Sequence, residues 1–306
     1  MDNIDTSVVI VNFNTKDITL NCIESVIKNT KDINFEIVIV DNGSTDGFVE
    51  EIKKKTYKNL KIIANKENKG FAEGNNQGTK SSTGRYVFFL NSDTVVNNNV
   101  IGELTRWMDQ NPNVGISGCK LIGTDGFMQE PGGYFPSLLS VFSWMTIQDL
   151  PLVDRVIKPF HPLKKKAFVK GNKFFTKKQN LDWIIGADMF VRRDVLNQIG
   201  GWDNSYFMYT EDVDLCFRAK KRGWQVSYLP NWEIIHLGGA SSGSIEFPLV
   251  SEYKSIKLFY QKHYPKWQYP IARLFLKLGA LGRVILLGIL EGRQSAAIYA
   301  KAFKVS

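Results

Sequence analysis

Four apolar runs, each ending in polar residues, organise the first hundred positions of the chain. Ser7 to Phe13 (SVVIVNF), Phe35 to Val40 (FEIVIV), Leu60 to Ala64 and Arg85 to Leu90 are short and rich in β-branched or aromatic residues. Between them the apolar positions fall three or four apart. Ile18, Cys22 and Val26, with Ile23 and Ile27, mark one helix. Phe48 to Lys55, Gly70 to Lys80 and Val100 to Gln110 mark three more, the last stopped by Asn111-Pro112. Nearly continuous apolar strands alternating with single helices predict an α/β fold with a parallel sheet covered on both faces.

Such sheets bind ligands beyond the carboxyl ends of their strands. All four ends are polar here: Asn12 to Thr15, Asp41 to Asp46, Asn65 to Asn68 and Asn91 to Asp93. Residues 123 to 180 are less regular. After them, WIIGADMFV (183–191) reads as a strand or buried segment and VLNQIG as a short helix capped by Asp194. Glu211 to Arg222 reads as a helix, Gln225 to Leu229 and Trp232 to His236 as two strands, and Phe247 to Tyr264 as a helix ended by Pro265.

In chain order, VIVNFN, VDNGSTDG, NKGFAEGNNQG, FLNSD, GADMFVRR, EDVDLCFRAKKRGW and IIHLGG resemble the inverting glycosyltransferases of family 2, and within them the rhamnosyltransferase-like branch. The resemblance implies the GT-A fold, a Rossmann-like, mostly parallel sheet with helices on both faces, over residues 1–265. Residues 1–122 would form its nucleotide-binding half and 123–265 its acceptor half. It implies that Asp41 accepts the imide N–H of a uracil or thymine ring, with Asn12, Asn68, Gly70, Asn75, Asn91 and Ser92 around the nucleotide. Asn91-Ser92-Asp93 stands where the family carries a metal-binding DxD element, its first Asp replaced. Asp93 and His236 would then hold a divalent cation, Mg²⁺ or Mn²⁺, whose other ligands come from the donor diphosphate and water. Asp212 is the implied general base, and Gly186, Ala187 and Glu211 wall the donor sugar and acceptor.

The residues also admit plainer readings. Asp41 or Asn42 fits an Asx turn. Gly74 and Gly78 fit close packing of a helix on the sheet. The acids of 211–214 fit the first turn of a helix, whose dipole favours them.

The implied activity is metal-dependent hexosyl transfer. The leading case is L-rhamnose from dTDP-rhamnose to a lipid-linked saccharide, in cell-surface polysaccharide synthesis. Galactofuranose or a hexose from a UDP-sugar is the alternative within the class. A non-catalytic nucleotide- or polyanion-binding protein of the same fold is the alternative outside it.

Charge and composition add a location. The 306 residues are 43% hydrophobic and 12% aromatic, an ordinary globular balance, with a net charge of +9. The excess is concentrated. Eight Lys and no acid lie between Lys158 and Lys178, and six cations against one acid lie from Ile271 to Ser306. The rest of the chain is mildly acidic, and no nucleic-acid partner is expected. Cys22, Cys119 and Cys216 have no metal or disulfide spacing and read as buried thiols of a reducing compartment. The opening MDNIDTSVVIVNFN lacks the basic region of a signal peptide, so a cytoplasmic protein is expected. Residues 271 to 290 are apolar but contain Arg273, Lys277 and Arg283, too many charges for a spanning helix. At helical spacing Arg273 and Lys277 share one face, and Leu274, Leu278, Leu281 and Ile285 line another. This predicts a helical tail, 266–306, lying in an anionic membrane surface at the inner face of the cell membrane. A subunit contact in a homo-oligomer is the other reading of that face.

Overall fold

The computed structural model describes residues 3–148, 153–161, 175–238 and 246–306. Strands β1 (Thr6–Asn12), β2 (Phe35–Asp41), β3 (Leu60–Ala64) and β4 (Tyr86–Leu90) lie parallel in the order β3-β2-β1-β4. Helices α1 (Lys16–Asn29), α2 (Phe48–Lys54) and α3 (Phe71–Ser81) make the connections. After β4 come β5 (Thr94–Val95), α4 (Val100–Gln110), β6 (Val114–Ile122), β7 (Met128–Gln129), β8 (Gly132–Gly133), α5 (Leu138–Thr146) and α6 (Val153–Val156). The chain continues through β9 (Gln179–Asn180), β10 (Trp183–Ile184), β11 (Asp188–Arg192), α7 (Arg193–Ile199), α8 (Glu211–Lys221) and β12 (Gln225–His236). It ends in α9 (Glu246–His263), α10 (Gln268–Leu290) and α11 (Arg293–Val305).

The sheet extends past β4 through β11, β6 and β12 to β5. β11 runs antiparallel to both of its neighbours, and β12 is parallel to β6. Alternation along β1 separates the two cores. Val8 and Ile10 join Cys22, Ile23 and Val26 of α1 and Leu104 of α4. Val9 points the other way, into the core that holds Ala72 of α3, Val213 of α8 and Phe259 of α9. The three cysteines are free and buried. Gly78 fulfils the packing reading: a Cβ there would stand 2.3 Å from a methyl of Val9, so α3 can lie against β1 only with glycine at that position.

Several elements differ from expectation. The run 183–191 is two strands, because Trp183–Ile184 pairs with β8 and Asp188–Arg192 with the main sheet. Apolar continuity cannot reveal such a change of partner. The two expected strands at 225–229 and 232–236 are one strand. Its register shifts between Leu229 and Glu233, where Pro230 has no N–H for the ladder. Asp194 lies inside the first turn of α7 rather than capping it; the cap position is Arg192. Much of the lysine-rich stretch, residues 162–174, lies outside the described residues.

The tail is two helices, and α10 packs on the body. A Cβ at Gly279 would meet the Met145 sulfur of α5 at 2.5 Å. Arg283 donates to the carbonyls of Met145 (3.1 Å) and Trp144 (3.0 Å), and Arg273 donates to the carbonyl of Ser306 (3.2 Å). The Lys277 ammonium lies 5.3 Å from the Phe303 ring centroid. The charges therefore turn toward the protein. Leu274, Leu278, Leu281, Ile285 and Ile289 face outward, between 45% and 78% exposed. Among the described residues no helix is long and apolar enough to cross a membrane.

Candidate active site

A cavity of about 920 Å³ opens beyond the ends of β1 and β4 and is closed on the far side by α8 and α9. Ten of the residues singled out in the sequence stand on its wall: Asn68, Gly70, Asn91, Ser92, Asp93, Gly186, Ala187, Glu211, Asp212 and His236. Asn12, Asp41 and Asn75 do not. They are buried behind it.

One side of the cavity pairs an acid with an imidazole. β5 is only two residues long, yet it pairs with the end of β12, setting Thr94 opposite His236 and Val95 opposite Ile235. The N–H of Leu237 donates to the carbonyl of Asp93 (2.9 Å). This short ladder brings Asp93 Oδ1 to 3.2 Å from His236 Nε2. Asn91 Nδ2 stands 3.3 Å from the same nitrogen. Among the described residues no three His, Cys, Asp or Glu side chains are arranged to hold a metal ion by themselves. A carboxylate and an imidazole at the edge of a cavity nevertheless fit a divalent cation that draws its remaining ligands from a bound diphosphate and water.

The opposite side holds the acids that open α8. Tyr209 and Thr210 both have φ of 69°, a left-handed backbone that aromatic and β-branched residues rarely adopt. Two such residues in succession store about 1–3 kcal/mol each. Their turn delivers Glu211 and Asp212 to the cavity wall. Asp212 Oδ2 accepts from the N–H of Gly186 (3.1 Å) and Oδ1 accepts from the N–H of Val213 (2.8 Å). Burial pushes Asp212 up to about 6, and these two N–H groups oppose the shift. Glu211 is raised well above the ordinary range by burial and by the adjacent charge of Asp212, and its Oε2 has no hydrogen-bond partner. A half-buried acid poised near neutrality and facing open space is suited to taking a proton.

Beside the cavity, Asp41 is already engaged. Oδ1 accepts from Asn12 Nδ2 (2.7 Å) and Oδ2 from the N–H of Ser44 (3.0 Å). Asn68 Oδ1 accepts from the N–H of Gly70 (2.9 Å), shaping the loop into α3, where Gly70 has φ of 84°. Asn75 Nδ2 donates to the carbonyl of Phe71 (3.1 Å).

Sequence reasoning missed three features of the site. Phe13 offers a ring to the cavity beside Val11 and Asn42. Gln129 of β7 contacts His236 from behind. His161 Nδ1 lies 2.7 Å from Glu130 and its Nε2 2.6 Å from Glu252, all three on the wall. Burial works against the charge of His161, but the two glutamates outweigh it and raise the imidazole well above its usual range. Phe13 sits inside a quoted motif and was recoverable. Gln129 and His161 lie in the irregular stretch, where nothing in the local pattern distinguishes them.

Residues 7–200 match the family model described as Glycosyl transferase family 2. An N-acetylglucosaminyl-diphospho-decaprenol L-rhamnosyltransferase of Mycobacterium tuberculosis is 26% identical over 250 residues, 77% of this chain and 78% of that protein. The rhamnosyltransferase WbbL of Escherichia coli K12 is 41% identical over 56 residues, 18% of this chain and 21% of that one. Among solved structures, GalNAc-T7 with UDP, GalNAc and Mn²⁺ superposes with a TM-score of 0.63 at 16% identity, over 99% of this chain and 56% of that one. The mannosyltransferase PcManGT from Pyrobaculum calidifontis, in complex with GDP-Man and Mn²⁺, gives 0.59 at 14% identity, over 98% and 85%. With the sheet order and the polar strand ends described above, these matches place the chain in glycosyltransferase family 2, with the GT-A fold.

Proposed function

We propose that the protein transfers L-rhamnose from dTDP-rhamnose to a lipid-linked saccharide, inverting the anomeric centre. The observation that carries the reading is the opposition across one cavity of a half-buried carboxylate, Asp212, and an acid–imidazole pair, Asp93 and His236. The likeness to a rhamnosyltransferase over most of both chains supports the sugar, and its lipid-linked substrate supports the acceptor.

Asp212 receives the proton of the acceptor hydroxyl as that oxygen attacks the anomeric carbon. The new glycosidic C–O bond forms while the bond from that carbon to the phosphate oxygen breaks, and its electron pair leaves with the nucleoside diphosphate. One displacement from the face opposite the leaving group inverts the centre. The Gly186 and Val213 N–H groups hold both oxygens of Asp212, fixing the direction from which it meets the hydroxyl. Asp93 and His236 would hold a divalent cation, which when bound neutralises the charge developing on the leaving diphosphate.

Phe13 offers a face on which the base stacks, and Asp41, buried behind the wall, holds the end of β2 in place through Asn12 and Ser44. Asn12, Asn68, Gly70, Asn75, Asn91 and Ser92 shape or support that end; Gly186, Ala187 and Glu211 border the sugars. At the acceptor side, Phe207 and Phe247 are 55% and 40% exposed, beside Met208, Pro248 and Leu249. An apolar lip on a sugar-binding cavity suits an acceptor with a lipid attached. The outward face of α10 suits peripheral attachment to the same membrane. We assign residues 1–265 to catalysis, with 1–122 serving the nucleotide and 123–265 the acceptor, and 266–306 to that attachment.

The test is transfer by the full chain, with Mn²⁺ present, from dTDP-rhamnose or UDP-hexoses to N-acetylglucosaminyl-diphospho-polyprenol. Rhamnosylated lipid is expected from wild type and not from Asp212→Asn. Consumption of a UDP-hexose in place of dTDP-rhamnose overturns the sugar assignment. No transfer from any donor overturns the enzyme reading.

A further inference from the structure

β7 and β12 flank the C-terminal end of β6: Leu121 pairs with Gln129 on one side and with Ile234 on the other. From β7 the side chain of Gln129 reaches His236 and meets it twice. Its Nε2 donates to the main-chain carbonyl of His236 (2.9 Å), and its Oε1 lies 2.5 Å from the ring nitrogen Nδ1. A carbonyl oxygen only accepts, so the first contact fixes which way round the amide lies. The amide oxygen is then left facing Nδ1, and it too only accepts. Nδ1 must therefore carry the proton.

The other nitrogen, Nε2, faces the cavity. It lies 3.2 Å from Asp93 Oδ1, and Asn91 Nδ2, a donor, approaches it at 3.3 Å. With the proton of the neutral ring placed on Nδ1, Nε2 is the nitrogen that presents a lone pair beside the oxygens of Asp93. Two electron-rich groups converge on one point, an arrangement a cation relieves. Gly238 completes the clamp. Its backbone is left-handed, with φ of 69°, and a Cβ there would stand 3.3 Å from Gln129 Nε2.

We infer that Gln129 is a positioning residue: by gripping His236 at ring and backbone, it selects the ring tautomer and angle that present Nε2, together with Asp93, to a divalent cation. The inference rests on the assignment of Asp93 and His236 to the cation. A partner on the second nitrogen of a ligating histidine commonly accounts for 10- to 100-fold in metal affinity.

Two measurements test it on the full chain. The first is titration with Mn²⁺ alone, followed by calorimetry or by the loss of the free-ion electron paramagnetic resonance signal. Gln129→Ala is expected to weaken Mn²⁺ binding by about 10- to 100-fold. Gln129→Glu keeps an acceptor for Nδ1–H but loses the donor to the His236 carbonyl, and is expected to lose less Mn²⁺ affinity than Gln129→Ala. Equal Mn²⁺ affinity in wild type and Gln129→Ala overturns the inference. So does an equal loss in both variants, which would make the contact one of packing. The second measurement needs no metal and no stable variant: long-range ¹⁵N–¹H spectra of ¹⁵N-histidine-labelled wild type. His236 is expected to show its neutral-ring proton on Nδ1; a proton on Nε2 overturns the inference. If wild type binds no Mn²⁺ while the spectra show the proton on Nδ1, the cation assignment fails and the tautomer selection stands.

Discussion

Two carboxylates at opposite ends of the sheet, one buried and one half-buried on the cavity wall, meet opposite fates. Glu36, on β2, is 3% exposed. Its Oε1 accepts from the Ser7 hydroxyl (2.8 Å), the Thr83 N–H (2.6 Å) and the Thr83 hydroxyl (2.9 Å), and Lys61 reaches Oε2 at 2.7 Å. Burial works against its charge, but Lys61 and these donors outweigh it and hold the group down to about 2. Among the described residues Asp212 has two N–H donors and no cation in contact. Beside it Glu211 keeps an oxygen with no partner, and both acids are pushed up. Both groups lose water on folding, Glu36 in the interior and Asp212 half-buried at the cavity wall. The number of donors decides whether an acid is a fixed strut or a proton acceptor.

Four experiments probe that contrast. The largest effect is expected from Asp212→Asn, which keeps the shape and removes the base. Turnover should fall by about a thousandfold, while the thermal shift produced by nucleoside diphosphate and Mn²⁺ remains. Retained turnover would end the assignment of Asp212.

Glu36→Gln should act on stability alone. It leaves Lys61 and the Thr83 N–H facing a neutral amide, and a loss of about 3 kcal/mol in urea unfolding is expected. Turnover of the folded fraction should not change. A variant as stable as wild type would show that the four contacts around Glu36 contribute nothing net.

The pH dependence separates the two acids without mutation. Asp212 must be ionised to accept a proton, so kcat/KM should fall tenfold per unit as pH drops below about 6. Glu36 is depressed in the folded state. Its contribution is fully present above the unfolded value near 4.5 and is lost only as pH falls toward about 2. Around pH 5 the protein should therefore be folded by circular dichroism and weakly active. Coincident loss of fold and activity would merge the two cases.

The smallest effect is expected at Glu211. Its surroundings disfavour the charged form, so Glu211→Gln should change stability by less than about 1 kcal/mol. A loss as large as that of Glu36→Gln would show that Glu211 is held as an anion.

The legibility of the molecule follows the range of the interactions. Strands β1 to β4 and the helices between them were readable because each side chain's periodicity records which face is buried. The polar strand ends were readable for the same reason, since a buried strand must finish where water begins. The acids and the histidine of the site were legible as types in order along the chain. Less legible were β6, α5 and the division of 183–191, whose identity depends on pairing partners far away in sequence. Gln129, His161 and the left-handed pair Tyr209-Thr210 carried no local signal at all. The tail was half legible: spacing gave α10 a charged and an apolar face, but only its packing on α5 and α11 turned Arg273, Lys277 and Arg283 inward and the leucines outward.

By itself the sequence determined the parallel half of the sheet, the order of its polar ends and the residue types available for chemistry, because these follow from neighbours three or four positions away. Tertiary structure decided which acid is charged and which nitrogen of His236 faces Asp93. Asn91 and His236 are 145 positions apart and meet only because a two-residue strand pairs with β12. Asp212 is held by Gly186, 26 positions away, and Glu36 by Thr83, 47 positions away. Protonation is set by the dielectric and the donors around a group, and here those are assembled by chain segments remote from it.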